Sequence, residues 1–222
     1  LAREQKLGSE YDKIISAQTV TWEGNEVTLT QLEPVYEETD REQRERAWCL
    51  AMERRQQDRP ALNKLWTQLY DLRQQIARNG GRSDYRAYRW QQLLRFDYTP
   101  EDSLAFLDAI EAAVVPVAER IYARRKSAMG IDRLRPWDLN VDPYGRPPLR
   151  PFQDVAELAP GAGRIFHRVD PQLGDYFDRM MQHNLLDLPN RVNKAPGGYC
   201  TDFSLDRLPF IFANAVGTHD DV

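Results

Sequence analysis

Leu62, Leu65, Trp66, Leu69, Leu72 and Ile76 recur at intervals of three and four residues, until Asn79-Gly80-Gly81 breaks the pattern. That period puts them on one face of an α-helix and is incompatible with a strand, whose faces alternate every second residue. The motif repeats downstream. Thr99-Pro-Glu-Asp has the residues of a helix start: a Thr cap, Pro in the first turn and an acid at the third position. Behind it Leu107, Ile110, Val114, Val117 and Ile121 keep the same spacing, which predicts a helix to Gly130 with a bend at Pro116. Asp40 with Gln43 predicts another helix reaching Asp58, with Trp48, Ala51 and Met52 on one face and Pro60 restarting the chain. Shorter helices are expected over 84–94, 153–168 and 171–184. The fold class is therefore mainly α, a helical array.

The β content is small. Thr19–Trp22 and Val27–Leu29 flank Glu-Gly-Asn-Glu and predict a hairpin turning at Gly24-Asn25, followed by a short helix capped by Thr30 and Glu33. Phe210–Asn214, behind Pro209, predicts a C-terminal strand reached through a loop. Residues 131–152 are a Pro-rich connector with little room for regular structure. Thr218 with Asp221 forms a helix-capping pattern at the end of the sequence.

Composition excludes several classes. At 222 residues, with 41% hydrophobic and 29% charged, the chain can bury a core and is not disordered. A net charge of −4 gives no basic surface for nucleic acid. No run approaches the ~20 apolar residues of a membrane span. Cys49 and Cys200 form no CxxC pattern, so a disulfide framework is not expected and a reducing cytoplasm fits. His167, His183 and His219 lack metal-ligand spacing, no base accompanies either cysteine, and Gly161 and Gly163 make no phosphate loop. No catalytic or metal-binding residue can be named. Two stretches stand out. Gly197, Gly198 and Tyr199 let the backbone approach a ligand or a neighbouring strand closely, or form an ordinary turn. Phe210–Asn214 is either a sheet edge able to bind an extended peptide or a buried core strand.

Together these stretches resemble a known family. KAPGGYCTDF (194–203) and PFIFANAVGTHDDV (209–222) are similar to the segment preceding the zinc helix of oligoendopeptidase F-type peptidases. These are zinc metallopeptidases related to thimet oligopeptidase. EGNEVTLTQLEPVYEETDREQRERAW (23–48), YRAYRWQQLLRFDYTPED (85–102), RPWDLNVDP (135–143) and RIFHRVDPQLGDYF (164–177) resemble the family too, so the likeness covers the whole chain.

The resemblance implies part of a zincin-like fold, with 1–80 ending an N-terminal helical lobe and 81–222 opening the catalytic domain. It implies that the HExxH helix begins within a few residues of Val222, capped by Thr218, Asp220 and Asp221. The zinc ligands, the general base and the remaining half of the catalytic domain would then lie outside this sequence, and these 222 residues alone would bind no zinc. In such enzymes zinc activates the water that attacks the scissile carbonyl. The expected substrates are short oligopeptides, admitted to a cleft that excludes folded proteins. Phe212, Ala213 and Asn214 would form the substrate-binding edge strand, with Gly197, Gly198 and Tyr199 beside it. The competing reading is a non-catalytic helical peptide-binding or scaffold module.

Overall fold

A computed structural model describes residues 1–222. It contains eight α-helices: α1 (Ala2–Ser16), α2 (Arg41–Gln57), α3 (Arg59–Asn79), α4 (Tyr85–Gln92), α5 (Pro100–Ala113), α6 (Val115–Ala128), α7 (Leu158–Val169) and α8 (Pro171–Gln182). Two small sheets complete it. One is a hairpin of β1 (Thr19–Trp22) and β2 (Asn25–Thr28). The other joins β3 (Leu186–Pro189), β4 (Tyr199–Phe203) and β5 (Leu208–Ala215) in the order β3-β5-β4. The fold is mainly helical, as the periodicity requires.

Local chemistry fixes most boundaries. Asp40 accepts from the N–H groups of Glu42 and Gln43 to open α2, and Thr99 and Asp102 form the expected reciprocal box at α5. Pro116 does more than bend its helix. It sits in the first turn of α6, and the chain resets at Val114, because proline offers no N–H to the preceding turn. The hairpin turns at Glu23-Gly24, one residue earlier than expected, with φ of 50° and 85° at those positions. The box expected of Thr30 and Glu33 is made instead by Thr28 and Gln31. Gln31 N–H donates to Thr28 Oγ1 at 3.2 Å, and Thr28 N–H donates to Gln31 Oε1 at 2.8 Å. α1 has no side-chain cap. It is held from outside, by Glu4 accepting from Arg73 at 2.8 Å and from the Tyr85 hydroxyl at 3.0 Å.

The central core lies between the hairpin and α2, where Val20, Leu32, Ala47 and Ala51 are buried under Trp22, Val27, Val35 and Met52. α2 also buries Arg44, which the apolar pattern does not anticipate. Arg44 donates to the carbonyls of Trp137 at 2.8 Å and Glu38 at 2.7 Å, and to Asp138 at 3.3 Å. Asp138 is fully buried and also takes a two-pronged contact from Arg41, both bonds at 2.9 Å, while Arg125 Nε donates to its carbonyl. This network ties α2 and α6 to the Pro-rich connector. Burial works to raise the Asp138 carboxyl, but the hydrogen bonds from Arg41 and the Arg135 N–H leave it below the usual range. The apolar stripe on α5 and α6 is not core: Leu104, Phe106, Leu107, Val117 and Ile121 are all exposed.

Contrary to expectation, β5 is not an edge strand. β3 pairs with it in parallel through Leu186–Ile211 and Asp187–Phe212, and β4 pairs antiparallel from Tyr199–Phe212 to Phe203–Leu208. The expected loop before β5 contains both partners.

Candidate functional site

The six residues singled out in the sequence converge on this second sheet. Tyr199 stands opposite Phe212, and their rings stack with centroids 4.9 Å apart. Gly197 has φ of +85°, a conformation that L side chains rarely adopt. At Gly198 a Cβ would lie 3.2 Å from the Phe212 carbonyl oxygen and 3.8 Å from Ala213 Cα. The paired glycines therefore allow close approach to a neighbouring strand, β5. Asn214 Nδ2 donates to the carbonyls of Ala195 at 2.9 Å and Gly197 at 2.8 Å, which fastens the glycine loop along β5 beyond its last β4 partner.

At Phe212 both flanks of β5 are occupied, by β3 and β4, so it offers no free edge there. β4 does. All five of its residues are exposed, and no strand pairs with its outer side. The ladder also reveals which groups face outward. Asp202 stands opposite Pro209, which has no N–H to donate, so this pair is a non-hydrogen-bonded one. Pairing alternates along an antiparallel ladder, so Tyr199, Thr201 and Phe203 bond to β5. Cys200 and Asp202 direct their N–H and C=O groups to the free edge.

The base of the site is polar and firmly held. Lys194, buried at 6% exposure, donates to the carbonyls of Asp187 and Pro189, both at 2.9 Å, and to Asp187 Oδ1 at 3.0 Å. Its ammonium lies 4.5 Å from the Phe212 ring centroid. Arg191 grips Asp187 with two hydrogen bonds, at 2.7 and 3.0 Å. Those bonds bring the Asp187 carboxyl down to about 2, against burial and with further help from Lys194. Burial pushes the Lys194 ammonium down, and Asp187 partly offsets it.

The turn after β5 is closed by Asp221. One carboxylate oxygen accepts from the N–H groups of Val216, Gly217 and Thr218 at 2.8–3.0 Å and from the Thr218 hydroxyl at 3.1 Å. Thr218 and Asp221 thus make the predicted cap, here on a short 3-10 turn, whereas Asp220 is exposed. The histidines are dispersed. His167 pairs with Asp178 between α7 and α8 at 2.9 Å, and His183 and His219 are exposed. No three His, Cys, Asp or Glu side chains come together as a metal site. A zinc ion does not fit these residues. Cys49 and Cys200 are both free, and no helix is long and apolar enough to cross a membrane.

Residues 35–222 match the model of peptidase family M3. The whole chain is similar to solved structures. An oligoendopeptidase F crystal structure superposes with a TM-score of 0.91 at 31% identity, covering 99% of this chain and 39% of that one. Pz peptidase A bound to an inhibitor gives 0.91 at 32% identity, with the same coverage. An oligoendopeptidase F from Bacillus anthracis str. Ames gives 0.90 at 27% identity, covering 99% of this chain and 40% of that one. The chain thus spans about two fifths of the length of these relatives. No curated protein sequence matches it.

Proposed function

The chain belongs to peptidase family M3, and from that membership we propose that it forms a wall of the peptide-binding cleft of a zinc-dependent oligoendopeptidase. The observation that carries this reading is the free outer edge of β4. Cys200 and Asp202 present main-chain donors and acceptors there, beside a glycine loop that leaves the approach open. An extended peptide would add to that edge as a further strand. Main-chain pairing holds a peptide without reading its side chains, which suits a peptidase acting on varied short sequences. Gly197, Gly198 and Tyr199 border the peptide in this scheme. Phe212, Ala213 and Asn214 support the edge from behind.

Hydrolysis and zinc binding belong, on this reading, to a polypeptide of the relatives' full length, with metal ligands outside residues 1–222. Residues 1–80 would end its N-terminal lobe and 81–222 would begin its catalytic domain. The exposed apolar face of α5 and α6 would meet the rest of that polypeptide, as contiguous patches of this kind mark contact surfaces. The free cysteines fit a reducing compartment, and we place the protein in the cytoplasm.

The test is turnover of a quenched oligopeptide by the full-length polypeptide, with metal content measured alongside. Chelator-sensitive cleavage with one zinc per chain supports the proposal. Peptide binding without cleavage under the same conditions would favour the non-catalytic scaffold.

A further inference from the structure

The glycine loop is fastened by more than its own strand. Asn214 Nδ2 is committed to the carbonyls of Ala195 and Gly197, so its Oδ1 must face away from the loop. There it accepts from Asn190 Nδ2 at 2.8 Å. Asn190 Oδ1 is left as an acceptor, and the Thr28 hydroxyl approaches it at 2.6 Å. Thr28 Oγ1 already accepts the Gln31 N–H, so its own proton is free for Asn190. Every donor in this chain meets an acceptor in one direction only, and turning either amide would set oxygen against oxygen. A second tie runs in parallel, with the Asn193 N–H donating to the Ser16 carbonyl at 3.0 Å.

We infer that Asn190 and Asn214 are positioning residues, through which the N-terminal hairpin sets the glycine loop and hence the alignment of the β4 edge. This rests on the peptide-binding role proposed above, and it assigns Asn214 a place behind the edge instead of a contact with the peptide. Asn190 makes no hydrogen bond to the loop or to β4; its side-chain amide bonds to Asn214 and Thr28, so its influence passes through Asn214.

That directionality gives the experiment. Asn190→Asp keeps an acceptor for Thr28 but loses the donor to Asn214. The Asn214 amide then turns its N–H groups toward residue 190 and its oxygen toward the loop carbonyls. Asn214→Leu removes the clamp outright. Thr28→Ser retains the hydroxyl and is the conservative control. The Tyr199 amide, which faces β5 at the end of the loop, should exchange about tenfold faster in Asn190→Asp and Asn214→Leu, and stay unchanged in Thr28→Ser. In the full-length polypeptide, KM for a quenched oligopeptide should rise by a similar factor while kcat stays within about twofold. A role in stability alone would lower Tm and leave both Tyr199 exchange and KM unchanged, which would overturn the inference. If the unaltered full-length polypeptide neither binds nor cleaves peptides, the proposed function fails, and exchange at the Tyr199 amide still decides whether the relay exists.

Discussion

Replacing Cys200 with proline separates the two sides of β4. The Cys200 N–H faces the free edge, so Cys200→Pro deletes a donor that a bound peptide would use and spares every bond to β5. Thr201→Pro does the reverse, removing an inward bond opposite Phe210 at a cost of about 1–3 kcal/mol in the ladder. Loss of one main-chain hydrogen bond is worth about 1 kcal/mol, rising to about 3 kcal/mol if the peptide carbonyl is left desolvated and unpaired. These limits correspond to a fall in kcat/KM of about fivefold to about 150-fold. The assay is steady-state cleavage of several quenched oligopeptides by the full-length polypeptide, with Tm measured on each variant. Cys200→Pro should lose activity at nearly unchanged Tm, Thr201→Pro should lose Tm, and Cys200→Ser should do neither. Equal kcat/KM for the folded proline and serine variants at position 200 would refute peptide addition to this edge.

Three further outcomes are expected. Asp138→Ala leaves Arg44 charged and buried without its partner, and should destabilise the fold by about 3–5 kcal/mol in urea unfolding. Asp187, held at about 2 in the folded chain against about 3.9 unfolded, binds protons more readily once unfolded. Its contribution is therefore complete above about pH 4 and lost as pH falls toward about 2, and Asp187→Asn should flatten that part of the acid-unfolding profile. The 222-residue chain alone should cleave no quenched oligopeptide, with or without added zinc, and chelator-sensitive turnover above a heat-killed control would contradict this.

The sequence carries its helices legibly because their signals are local. Thr99 with Asp102, Asp40 ahead of α2 and the Asn79-Gly80-Gly81 stop each act within one turn, and each does so in the structure. α1 has no such signal: it lacks a side-chain cap, contains Gly8, and depends on Arg73 and Tyr85 far along the chain. The sheet fails for the same reason. Pro209 and the apolar run after it identify β5 as a strand, but its flanks are filled by β3 and β4, and pairing between strands leaves no period in one sequence. The six singled-out residues could be grouped from the sequence only through the family likeness of 194–203 and 209–222. Asn190, Thr28, Cys200 and Asp202 were not legible as part of the site. Asn190 and Thr28 meet across 162 positions, and the outward direction of Cys200 and Asp202 follows only once Pro209 is known to stand opposite Asp202.

The proposed function depends on a peptide backbone pairing with the outer edge of β4. Amide hydrogen exchange of the full-length polypeptide, with and without a non-hydrolysable oligopeptide analogue, tests it most directly. The Cys200 and Asp202 amides should become protected on binding, while those of Phe212, Ala213 and Asn214 should not change. New protection at Phe212–Asn214, with none at Cys200 or Asp202, would contradict it.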